Sequence, residues 1–165
     1  MNRRLFLVLL PVALAAGCGF QLRRTEGIPF ASLYVDAPAG GLVAQRIITA
    51  IKASGSTKVA ASAAEADAVL KLGGERRTKV ILSLSGSGLV TEYRLGLKMG
   101  YTVIGKNQRT LAEPEEIELT RDMTYNASIV LAKGAEENLL YRDMEETVAK
   151  RILRRLQSLK PGNGS

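Results

Sequence analysis

Between Tyr93 and Val103 six apolar residues, Tyr93, Leu95, Leu97, Met99, Tyr101 and Val103, alternate without interruption with Glu92, Arg94, Gly96, Lys98, Gly100 and Thr102. Successive side chains of a strand point to opposite faces, so this segment is expected to be a β-strand with one buried face and one solvated face. Ser85-Gly-Ser-Gly88 before it reads as a flexible hairpin tip, and Gly105-Lys-Asn107 after it as the next reversal. A further strand carries Ile117, Leu119, Met123 and Tyr125, with Arg121 interrupting its apolar side. Upstream, Val69 to Leu72 and Val80 to Leu84 read as β, joined or bent around Gly73-Gly74, where glycine in a strand often marks a bulge. These elements form an antiparallel meander.

A sheet with one apolar face needs a cover. From Leu42 to Ser54 the residues Val43, Ile47, Ala50 and Ile51 recur at helical spacing, and Gly55 suits a C-terminal stop. A longer helix begins near Ala135 and runs to Leu159, with Leu140, Met144, Val148, Ile152 and Leu156 four residues apart. Lys150, Arg151, Arg154 and Arg155 near its end suit the helix dipole, and core packing accounts for the stripe better than membrane insertion does. Ser32 to Asp36 reads as a first strand, Thr57 to Ala61 could be a short one, and Ala60 to Ala68 is ambiguous between loop and helical turn. The expected fold class is α+β, with two helices packed on one face of a mostly antiparallel four-stranded sheet.

The N-terminus decides where this domain works. Arg3 and Arg4 precede an apolar run from Leu5 to Ala16, broken by Pro11, that is too short for the ~20 residues of a membrane span and has the layout of a secretory signal. Ala15-Ala16-Gly17-Cys18 resembles a lipobox, although Ala15 stands where leucine is commoner. Its cysteine would be acylated and become the first residue of the mature chain. The alternative is an ordinary cleavage site beside a free thiol. Cys18 is the chain's single cysteine and has no disulfide partner, which acylation explains. Gly19 rather than aspartate favours the outer membrane, periplasmic side. Residues 1–17 are thus read as the signal, 18–31 as a lipid-anchored tether, 32–159 as one domain and 160–165 as a flexible tail.

Removing Arg3 and Arg4, the charged residues of the signal, lowers the formal charge from +7 to +5. In an exported, tethered chain that excess points to anionic headgroups, phosphorylated glycolipid or an acidic protein surface rather than nucleic acid, although a merely soluble basic surface also fits. The chain has no histidine, which excludes Ser-His-Asp and Cys-His catalysis and Cys/His metal sites. A Ser-Lys dyad or carboxylate pair remains formally open, but no spacing gathers such groups, so binding without enzyme activity, metal or cofactor is expected.

Three stretches, Cys18-Gly-Phe-Gln-Leu-Arg23, Thr91-Glu-Tyr-Arg-Leu95 after the hairpin tip, and Val130-Leu-Ala-Lys133 before a long acidic-starting helix, together resemble LptE. This is the lipopolysaccharide-assembly lipoprotein family of Gram-negative outer membranes. The resemblance implies a two-helix α+β domain without catalysis that partly plugs and helps assemble the outer-membrane β-barrel LptD. It also implies a part in moving lipopolysaccharide to the outer leaflet. Lys133 matches a basic position that the family uses for lipopolysaccharide. A second basic family position falls near Gly86, where this chain has no charge, and Arg76, Arg77, Lys79 and Arg94 are candidates to compensate. A cation facing phosphate is the expected chemistry. The rival expectation is a stand-alone periplasmic module that binds a small ligand or cell-wall fragment in an apolar pocket.

Overall fold

A computed structural model describes residues 27–160. The signal, Cys18, the tether as far as residue 26, and residues 161–165 of the tail lie outside the described residues. The elements run β1 (Ser32–Asp36), α1 (Leu42–Ser54), β2 (Lys58–Val59), a 3-10 turn (Ala63–Glu65), β3 (Ala68–Leu72), β4 (Arg76–Leu84), β5 (Val90–Gly105), β6 (Thr110–Thr124), a second 3-10 turn (Ala127–Ile129) and α2 (Val130–Ser158).

The alternating segment lies within β5, and its inward residues Leu95, Leu97, Met99, Tyr101 and Val103 are all buried. β6 pairs antiparallel along one edge of β5, while β3 and β4 follow each other antiparallel along the other. β3 and β4 are therefore one strand path interrupted between Leu72 and Arg76. There the backbone N–H of Gly73 donates to the carbonyl of Gly100 at 2.8 Å, and a Cβ on Gly73 would lie 3.3 Å from that oxygen. Glycine permits this approach.

The sheet differs from the expected mostly antiparallel one of four strands. It has six strands and is mixed, because β1 pairs in parallel with both β2 and β3. The cause is the return path: α1 carries the chain back over the sheet before β2 begins, and such a crossover leaves the joined strands parallel. The segment around Thr57 is thus a two-residue parallel strand, and the alanine-rich stretch holds the 3-10 turn followed by β3.

Both helices face the buried side. α1 contributes Val43, Ala44, Ile47 and Ile51, and ends at Gly55 with φ of 66°, the left-handed stop that its sequence suggested. Its N-terminal backbone is capped from a distance, the Val43 N–H donating to Glu75 Oε1 at 2.9 Å. α2 starts at Val130, before the expected Ala135, and buries Tyr141, Met144, Val148, Ala149, Ile152 and Leu156. One core cluster joins these residues to the strands and takes in Ile28 and Phe30 ahead of β1.

Tyr101 sits at the core margin. Its hydroxyl donates to Glu115 Oε2 at 2.6 Å, and Arg155 of α2 holds Glu115 Oε1 at 2.9 Å. Burial first, and then the Glu115 carboxylate, push Tyr101 up to about 12. The Tyr101 hydroxyl first, and then Arg155, hold Glu115 below the ordinary carboxylate range. A raised tyrosine favours the folded state fully below the unfolded value of ~10, and that contribution is lost as pH rises through about 12. Alkaline denaturation followed by circular dichroism should therefore steepen across that window, and Tyr101→Phe should flatten it. An unchanged alkaline limb in Tyr101→Phe would remove Tyr101 as the cause.

Candidate functional site

β4 contributes no buried residue to the core. Its antiparallel register with β5 puts Arg77, Lys79 and Ile81 on the helix side, opposite Leu97, Leu95 and Tyr93. Arg76, Thr78 and Val80 fall on the other face, opposite Lys98, Gly96 and Arg94. The five basic residues singled out from the sequence are split by this geometry.

Arg77 bonds Glu145 of α2, lies 4.8 Å above the Tyr141 ring, and has 41% of its side chain exposed. Glu145 is wholly buried, with Arg46 of α1 3.8 Å from its second oxygen, Oε2, which accepts no hydrogen bond. Lys79 bonds Glu137 at 2.6 Å and lies 4.4 Å from the Tyr93 ring centre, which meets Tyr125 edge-on at 5.1 Å. Its ammonium is held charged above the ordinary lysine range, chiefly by the Glu137 hydrogen bond. Lys133 stands at the same end of the molecule. Its Nζ bonds Glu136 at 2.7 Å and Thr124 Oγ1 at 3.2 Å, and its side chain is 13% exposed. An ammonium has three N–H donors, so one is left for an incoming oxygen.

On the far face Arg94 forms a two-pronged pair with Asp122 at 2.7 and 2.8 Å. Arg76 makes no ion pair among the described residues, and its cross-strand neighbour Lys98 is itself a cation, occupied by Glu116 at 2.5 Å. The structure thus brings Lys79 and Lys133 to one end, bonded to the adjacent Glu137 and Glu136, and puts Arg77 farther along α2. Arg76 and Arg94 are across the sheet from these three.

The same end is apolar on its surface. Val80, Ile81, Leu82, Leu84 and Leu89 of the β4–β5 hairpin are 39–65% exposed. The tip is closed by the Ser85 N–H bonding the Leu89 carbonyl at 2.7 Å, with Gly88 at φ of 77°. Sequence reasoning missed two features here. Glu145 lies one turn from Tyr141 and from Ala149 on the inward side of α2, a polar residue inside an apolar stripe and so visible in principle. The Tyr93–Tyr125 contact depends on the β5–β6 register, which pairs Tyr93 with Met123.

A family model described as lipopolysaccharide-assembly, LptE, matches residues 30–156. The chain belongs to the LptE family. Among LptE proteins, the LPS-assembly lipoprotein of Pectobacterium atrosepticum is 28% identical, over 100% of this chain and 90% of the relative. The solution structure of the uncharacterized lipoprotein B from Nitrosomonas europaea is similar with a TM-score of 0.72 and 34% identity, covering 85% of this chain and 91% of that one. The crystal structure of rare lipoprotein B from Shewanella oneidensis gives 0.68 and 25%, covering 77% and 94%. Like the family, this LptE chain has a role in lipopolysaccharide assembly. No helix among the described residues is long and apolar enough to cross a membrane.

Proposed function

We propose that this chain is an outer-membrane lipoprotein, cut at Cys18 and held there by acyl chains on the periplasmic side, whose domain docks in the LptD β-barrel. It partly plugs the barrel, helps assemble it, and offers cations to lipopolysaccharide during insertion. It does this without catalysis or a cofactor. The observation that carries the reading is the polarised hairpin end, where Lys79 and Lys133 flank exposed apolar residues from Val80 to Leu89. Such a patch, edged by cations, suits a partner surface or an amphiphile with phosphate headgroups.

Lys133 takes phosphate with its remaining donor, and Arg76 is the least occupied of the compensating cations. Arg77, Lys79 and Arg94 contribute positive field around their carboxylate partners. Lys133→Asp is expected to weaken lipopolysaccharide binding by about tenfold or more, since a hydrogen bond to a charged group contributes ~1.5–3 kcal/mol. Unchanged affinity, with the circular dichroism of the fold intact, would remove Lys133 from the site.

The partner is tested by affinity pull-down of the tagged lipoprotein from gently extracted outer membranes, with mass identification of stoichiometric companions. Recovery of a large β-barrel supports docking. Recovery of the lipoprotein alone, under extraction that preserves barrel complexes, overturns it.

A further inference from the structure

At the pole opposite the hairpin, the last turns of α1 and α2 converge on an apolar groove of about 340 Å³. Its floor is Ile28, Ala50, Ile51 and Leu153, and its rim is Ser54, Ser56 and Gln157. Gly27 lines the same groove, so the chain enters the domain beside it. This point of entry is fixed in place. A Cβ on Gly27 would lie 2.9 Å from the Ser56 Cβ, and the buried Thr57 hydroxyl lies 3.0 Å from the Phe30 carbonyl and 3.3 Å from that of Ile28.

We propose that the groove receives the chain's own upstream segment, with Phe20 and Leu22 as its occupants. Between Cys18 and Gly27 these are the large apolar residues, and they alternate with Gln21 and Arg23. An extended segment therefore turns both toward the groove and the polar pair away. Phe20 lies seven positions before Gly27, a reach of at most ~25 Å, so the segment can fold back onto the groove beside its own point of entry. Charge favours the same placement. The final carbonyls of a helix carry partial negative charge, two helices end here, and Arg23 and Arg24 follow directly after Leu22.

Docking changes what the anchor does. It shortens the free link between Cys18 and the body from eight residues to one, and faces the pole bearing exposed Arg151, Arg154 and Lys160 toward the lipid headgroups. The acylated end then sets the domain's orientation as well as its location. The inference rests on the reading that the mature chain starts at an acylated Cys18, which intact mass measurement of the purified lipoprotein tests separately.

The chain has no tryptophan, so Phe20→Trp introduces a single reporter. In the full acylated lipoprotein in phospholipid vesicles, Trp fluorescence from that variant is expected to be blue-shifted and several-fold less quenched by acrylamide than free tryptophan. It should also be insensitive to lipids brominated on their acyl chains. Adding Ala50→Lys, which fills the groove from the half-exposed side of α1, should restore quenching with unchanged circular dichroism. Quenching by brominated lipid would place the side chain in the membrane and overturn the proposal. Full acrylamide quenching in Phe20→Trp alone, or protection that survives Ala50→Lys, would overturn it equally.

Discussion

Leu97→Asp is expected to abolish the cooperative thermal unfolding transition of this domain. Leu97 has no exposed surface, and its register neighbours are Arg77 on β4 and Leu119 on β6. An ionised carboxylate there loses the apolar contacts of leucine and is buried without water, a cost of several kcal/mol against a total stability of ~5–15 kcal/mol. Arg77 is the one cation in cross-strand register, and it already serves Glu145. If it turns to the new carboxylate, Glu145 keeps only Arg46 at 3.8 Å; if it stays with Glu145, the new carboxylate is unpaired in the core. Leu97→Met, which keeps the volume, should cost less than ~1.5 kcal/mol. Circular dichroism melting of both variants checks the pair, and a normal transition in Leu97→Asp would refute the strand register.

The second large effect concerns Glu145. Arg77→Ala removes the close partner of a carboxylate that has no exposure, leaving Arg46 at 3.8 Å as its remaining cation. Breaking a buried pair costs ~3–5 kcal/mol, and the 41% exposure of the Arg77 side chain puts the expected loss at the lower end of that range. The double variant Arg77→Ala/Glu145→Leu should recover most of the loss, because replacing a buried pair by apolar residues is often near neutral. Urea denaturation measures both variants. A single Arg77→Ala change without effect would show that Glu145 does not depend on the pair. The Arg77–Glu145 contact also matters locally: with the Lys79–Glu137 pair and the Tyr141 hydroxyl donating to the Thr78 carbonyl at 2.8 Å, it ties β4, whose side chains are largely exposed, to α2.

Local periodicity made some elements legible and not others. The strict alternation of β5 and the helical spacing of α1 were readable because each element's own burial imposes them. Gly55 and the Ser85–Gly88 tip were readable because their backbone conformations favour particular residues. β1 and β3 were legible as strands and β2 as a possible short one, but their parallel pairing was hidden, because their partners are chosen by the path of α1 rather than by their own side chains. The candidate site was legible as a set of cations but not as an arrangement. Arg77 and Lys79 occupy the face that is apolar in β5, and only the cross-strand register assigns them to the helix side. Arg121 interrupts the apolar side of β6 for a similar reason: opposite Leu95 on the helix side of the sheet, it meets Asp143 of α2 at 3.1 Å.

The length of α2 sets a distance between two chemistries. Twenty-nine residues at ~1.5 Å each give a rod of ~43 Å, with Gly27 and its groove beside one end and the apolar, lysine-flanked hairpin beside the other. The hydrocarbon layer of a bilayer is ~30 Å thick. The helix is longer than that, so one rigid element, without any moving part, keeps the groove and the hairpin farther apart than a hydrocarbon layer is thick.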